Sequence, residues 1–178
     1  MRDRRLSRLL IAPPAVCIHV TEDCMTATIT IQAPAQDVFD VLADPSTHQA
    51  IDGTGWVRES LNGKPITEEG QVFRMAMYHP NHPDKDYEMA NRVEAFDPPR
   101  AIAWQPGQGP DDNLEFGGWI WRYDLEPIGP AETAVTLTYD WSAVPQQTRE
   151  HIGFPPFDRQ HLDNSLKHLA ELSESRPA

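Results

Sequence analysis

Through much of the chain apolar side chains recur at every second position, the pattern of strands with one buried face. The first run, TATITIQA at 26–33, alternates β-branched residues. Further runs follow at 56–60, 71–79, 87–96, 101–105, 117–125 and 133–141. By parity Phe73, Met75 and Met77 share a face of one strand, and Tyr87, Met89, Asn91 and Val93 a face of the next. Ile102 and Trp104 continue that face. In GGWIWRYDL (117–125), Trp119, Trp121, Tyr123 and Leu125 alternate with Ile120, Arg122 and Asp124. The last run sends Val135, Leu137, Tyr139 and Trp141 the same way. The connectors NGKP, HPNHPDKD, FDPPR, PGQGPDDN and EPIGPAE are dense in turn formers. Successive hairpins and an antiparallel sheet with one wet face are therefore predicted. On the wet face Arg74, Arg92 and Arg122 share parity with Glu88, Glu94, Asp124 and Asp140, which predicts cross-strand ion pairs.

Two stretches change period. Pro34 stands where a helix begins, followed by Val38, Phe39, Val41 and Leu42 at helical spacing. Asp44-Pro45-Ser46 stops that helix and starts a second short one ending near Ile51. Asp52-Gly53-Thr54-Gly55 resembles an acidic-protease signature, but the residue order differs and no second copy exists, so it reads as a turn. Residues 157–173 then place Leu162, Leu166, Leu169 and Leu172 on one helical stripe. The sum is an α+β architecture: a curved antiparallel sheet of about seven strands wrapped around a long C-terminal helix, with two short helices after the first strand.

Composition narrows the partners. Hydrophobic residues make up 39% and charged residues 24%, as in ordinary globular chains. The net charge of −12, from 27 acids against 15 bases, argues against nucleic acid and against an anionic membrane surface. No run approaches the ~20 apolar residues of a membrane span. The start MRDRRLSRLLIAPPAVCIHV imitates a secretion signal, yet Pro13 and Pro14 interrupt its apolar run and no small-x-small cleavage site follows. Residues 1–24 are expected to be a poorly ordered extension, and 25–178 a single domain. Cys17 and Cys24 form neither a disulfide framework nor a metal motif, which places the protein in the cytoplasm by default.

With this order of elements the chain resembles the helix-grip (SRPBCC) superfamily of START-related and Bet v 1-like proteins. Within it, the bacterial polyketide cyclase/dehydrase and lipid transport branch is the nearest in pattern. The resemblance spans 26 to about 174 and rests on ITIQAPAQDVFDVLADP, WRYDLEP and TLTYDWS, with IDGTGWVRES, FRMAMYH and YEMANRVEAFDPPRAIAW alongside. It implies a cavity between sheet and last helix that holds lipids, polyketides or other apolar molecules. Members include enzymes as well as carriers, so the resemblance speaks to fold more than to reaction.

The shared face supplies the candidate ligand-binding residues. They are Trp56, Phe73, Met75 and Met77, then Tyr87, Met89 and Asn91, then Trp104, Trp119, Trp121 and Tyr123. Tyr139 and Trp141 follow from the last strand, and Leu162 and Leu166 from the helix. Asn91, Tyr123, Tyr139 and His161 are the candidate catalytic groups, His161 as a general base. His79 and His82 have metal-like spacing, but prolines make HPNHP a loop and no third ligand is evident, so neither metal nor cofactor is expected. Nor is there a Ser–His–acid pattern, phosphate loop or nucleotide fingerprint. Three functions stay open: a carrier of a small hydrophobic molecule, a cyclase/dehydratase-type enzyme using the same cavity, and a protein-interaction or chaperone-cofactor-type module.

Overall fold

The computed structural model describes residues 16–176. A hairpin of β1 (Cys17–Val20) and β2 (Cys24–Ile31) leads into α1 (Ala35–Leu42), a 3-10 turn (Pro45–Thr47) and α2 (His48–Ile51). Then come β3 (Val57–Ser60), β4 (Val72–Tyr78), β5 (Asp86–Asp97), β6 (Ala101–Gln108) and β7 (Glu115–Phe116). β8 (Ile120–Gly129) and β9 (Glu132–Asp140) complete the sheet, and α3 (Gln146–Ile152) and α4 (Gln160–Glu174) end the chain. Neighbours in the sheet run β1-β2-β9-β8-β6-β5-β4-β3, with β7 paired to β6 off this path. Every pairing is antiparallel, as hairpin connections require. α4 packs on β2 and β9, with α1 and α2 alongside it. This is the expected helix-grip α+β arrangement.

Among the described residues the sheet has nine strands rather than seven. One addition is β1, inside the stretch expected to be a loose extension. Its residues pair from Cys17↔Thr28 to Val20↔Met25, and Thr21 closes the turn by donating its hydroxyl to the Cys24 carbonyl at 3.1 Å. CIHV is too short to show a period, which hid it. Residues 1–15 of that expected extension lie outside the described residues. The other addition, β7, has two residues and no readable alternation. α3, also unforeseen, buries no residue and so lacks the apolar stripe that announces a helix.

The core lies at the β2–β9 end of the sheet. Ile29, Ile31, Val135 and Leu137 meet Leu162, Leu166 and Leu169 of α4, with Val38, Phe39 and Leu42 of α1 completing it. The α4 stripe drifts at its end. Ser173, not Leu172, is buried there and donates its hydroxyl to the Leu169 carbonyl at 2.7 Å. A bulge between Val93 and Ala95 inverts the facing of β5, so that Phe96 turns inward and meets Phe39 edge-on at 5.4 Å.

Candidate functional site

Away from that core, the sheet and the first turns of α4 part to leave a cavity of about 980 Å³. Each strand contributes the face predicted from its parity. β4 supplies Phe73, Met75 and Met77, and β5 supplies Tyr87, Met89 and Asn91. Trp104 comes from β6, Trp121 and Tyr123 from β8, Tyr139 from β9, and Trp56 from the segment before β3. Trp119 lines the cavity too, but from outside the strand it was expected to share. β8 starts at Ile120, because Gly118 takes φ +94 against the Ala143 carbonyl. The Trp119 ring folds back over Gly117, where a Cβ would collide with it, and lies 5.8 Å from Phe154.

Three residues expected at the site do not line the cavity. Leu162 and Leu166 are wholly buried in the core, since the leucine stripe of α4 faces β2 and α1. The edge of α4 that meets the cavity carries His161 and Ser165, four residues apart on one face. Trp141 follows the end of β9 and is buried beside Tyr139, its N–H bonded to the Asp23 carbonyl at 2.9 Å.

The walls are an interlocked aromatic set. Between ring centres, Trp121 lies 4.3 Å from Tyr139, 5.5 Å from Phe157 and 5.3 Å, edge-on, from His161. Such pairs contribute ~0.5–1.5 kcal/mol each beyond area burial. At the mouth, His79 packs edge-on to Trp56 and His82 stacks on Tyr87 at 4.3 Å. Their Nδ1 atoms accept N–H bonds from Asn81 and Asp84 within the loop. Among the described residues no three His, Cys, Asp or Glu side chains gather to hold a metal.

The polar groups on the wall are sparse and poorly satisfied within the chain. The Asn91 amide reaches only the Met89 carbonyl, at 3.5 Å. Among the described residues the hydroxyls of Tyr123 and Tyr139 have no partner, and burial pushes both phenols upward, with Asp52 adding to the shift at Tyr123. Two further groups escaped the parity reading. His48, at the start of α2, stacks on Trp104 at 5.0 Å and donates from Nε2 to the Leu42 carbonyl at 2.8 Å. Asp52 belongs to IDGTGW, which does form a turn. Its carboxylate accepts from the Thr54 N–H, the Thr54 hydroxyl and the Val57 N–H at 2.9–3.1 Å. That turn carries the carboxylate to 4.0 Å from His161 Nδ1, with the two side chains only 5% and 9% exposed. Burial lowers the His161 pKa, while Asp52 pulls the other way.

Burial also lowers the pKa of His48, against its bond to Leu42 and the charge of Asp44. The unfolded chain then takes up the proton first as pH falls below the ordinary value of 6.5. Stability is fully present above that pH and declines below it. The melting temperature is expected to fall as pH drops below about 6.5, with the lowered His161 contributing in the same direction, and His48→Asn to make that slope shallower. A slope unchanged in the variant contradicts the assignment to His48.

Residues 23–174 match the family described as polyketide cyclase / dehydrase and lipid transport. The chain belongs to that family. A similar curated sequence is "Uncharacterized protein Rv0088" of Mycobacterium tuberculosis, 29% identical over 119 residues. That alignment takes in 67% of this chain and 48% of the relative, so the family member described here matches about half the length of its curated relative. Similar solved structures include protein Ms6760 from Mycobacterium smegmatis, with a TM-score of 0.60 at 15% identity over 91% of this chain and 96% of that one. Protein NE0264 from Nitrosomonas europaea gives 0.64 at 14% identity over 88% and 97%. At these identities the likeness is one of fold. No helix among the described residues is long and apolar enough to cross a membrane.

Proposed function

We infer that this family member binds a small, largely apolar molecule, aromatic or lipid-like, in the cavity between sheet and α4. The observation that carries the reading is the wall itself: stiff Trp and Tyr rings and adaptable methionines around about 980 Å³, with a few polar groups among them, such as the Asn91 amide, whose bond to the Met89 carbonyl is a long 3.5 Å. Apolar lining with a few orienting polar groups is the composition of small-molecule sites of ~300–1,000 Å³. Methionines let such a wall accommodate varied shapes. The family's description and fold point the same way. An interaction module has less support, because the large apolar side chains exposed among the described residues come from β1 (Val20), the segment after β3 (Leu61), β8 (Ile128) and α3 (Ile152) rather than from one element. Cys17 and Cys24 are free thiols, which fits a carrier in a reducing cytoplasm.

Native mass spectrometry of protein purified without detergent tests the reading. The expected spectrum contains a bound species of lipid or small-molecule mass, or acquires one after exposure to fatty acids, sterols and fused-ring aromatics. A spectrum that stays at the bare chain mass under every exposure contradicts it.

A further inference from the structure

A ligand-holding cavity has no need of a buried carboxylate facing a buried imidazole, yet Asp52 and His161 are placed so. Asp52 comes from the turn after α2 and His161 from the first turn of α4. Gly53 makes the approach possible, since a Cβ there would lie 2.8 Å from His161 Nδ1 and 3.0 Å from Asn164 Cβ. Three donors fix the Asp52 carboxylate, so its direction toward the ring is set before any ligand arrives. A bare lone pair on Nδ1 would be repelled by that oxygen, whereas an Nδ1–H turns a positive hydrogen toward it, and the Gly53 backbone beside the ring favours the protonated nitrogen as well. Nδ1 is sealed from solvent and has no hydrogen-bond partner among the described residues. The ring lines the cavity and its Nδ1 is sealed, which leaves Nε2 as the nitrogen able to meet a ligand there. The ring meets the stacked Trp121 and Phe157 edge-on, at 5.3 and 4.7 Å.

We propose that His161 is a general base for a carbon acid, an apolar molecule bearing a C–H next to a carbonyl, with Asp52 as the positioning residue that keeps the proton on Nδ1. The proposal rests on the cavity being a binding site. Nε2 takes the proton from carbon, and the C–H electron pair moves into the carbonyl to leave an enolate. The imidazolium then returns a proton to carbon, so nothing is oxidised or reduced and no further reactant is needed. Tyr123 lines the same cavity, keeps its hydroxyl proton because burial opposes ionisation, and donates to the oxygen that takes up the charge. Burial lowers the imidazole pKa to about 4, so the ring rests neutral, and the Asp52 charge, which pulls the other way, supports the imidazolium as the proton arrives. The 4.0 Å gap to Asp52 is of the kind that tightens when substrate binds.

The test is deuterium uptake by β-tetralone, an apolar bicyclic ketone, in heavy water, followed by proton NMR, with its binding read separately from the melting temperature. The wild type is expected to accelerate exchange beside the carbonyl, and His161→Gln to lose about 100-fold of that rate. Asp52→Asn is expected to slow exchange as well, and nitrogen NMR of the ring to show the Nδ1–H form giving way to Nε2–H in that variant. A bound β-tetralone that exchanges at the buffer rate, or equally fast with His161→Gln, overturns the base and leaves the binding reading intact. A ketone that does not bind removes this substrate class from both readings. An Nε2–H form in the wild type overturns the proposal with no ligand present and no variant required to fold.

Discussion

Replacing Leu166 with alanine is expected to cost about 2–5 kcal/mol of stability, while leaving the ligand capacity of the cavity unchanged. The residue has no solvent exposure and sits in the core that α4 shares with β2, β9 and α1. Removing most of its side chain forfeits transfer free energy and leaves a void that close-packed neighbours only partly fill. In a chain of this size each kcal/mol lowers the melting temperature by about 2–4 °C, so a melt resolves the effect easily. Stability and binding should part company because the leucine stripe faces the core while His161 and Ser165 face the cavity. A melt within about 1 kcal/mol of wild type, or a changed ligand preference, would contradict this division of α4.

The second large effect is expected at Gly53. Gly53→Ala should destabilise the fold by about 1–3 kcal/mol through overpacking. The backbone there is not in the left-handed region, so the cost is one of contact. An added methyl meets the Nδ1 and the main-chain carbonyl of His161 and the Asn164 side chain. The carbonyl belongs to a helix and cannot turn aside, so the turn and α4 must separate. Separation would also break the bond from the Gly53 N–H to Ser165 Oγ, now 3.1 Å, and widen the Asp52–His161 gap. Unfolding measured in urea checks it, and a variant as stable as wild type would mean the turn does not seat against α4 as described.

How much of this could be read beforehand followed from the range of each signal. Period-two alternation fixes facing directly, so parity alone assigns Met75, Met89, Trp104 and Tyr123 to the wall. Helical spacing identifies a core stripe but says nothing about what the flank of that stripe meets. It therefore puts Leu162 and Leu166 at the cavity, where His161 and Ser165 stand instead. His161 was legible as a candidate base, but its partner was not. IDGTGW reads locally as a turn, and only the packing of Gly53 on α4 brings Asp52 to it. Ion pairs show the same limit. Arg92–Glu94 and Arg122–Asp124 close within one strand, at 2.8 and 2.7 Å, rather than across strands. Arg74 spans to Asp111 in the β6–β7 loop at 2.6 Å, and its cross-strand pairing with Glu88, at 3.9 Å, is the looser contact. Parity shows which charges share a face, while rotamer reach and loop position decide the partner.

If the space between sheet and α4 is a binding site, apolar ligands should raise the melting temperature of the wild type and not that of Met89→Trp, compared by thermal unfolding with one panel of fatty acids, sterols and fused-ring aromatics. Met89 lines the cavity and is only half-buried, so an indole there fills space that a ligand would otherwise take. A ligand at ~100 times its dissociation constant should add ~2.7 kcal/mol, a rise of roughly 5–11 °C in the wild type. The filled variant should show little or none of that rise. No shift with any apolar compound, or an equal shift in the filled variant, would contradict the account.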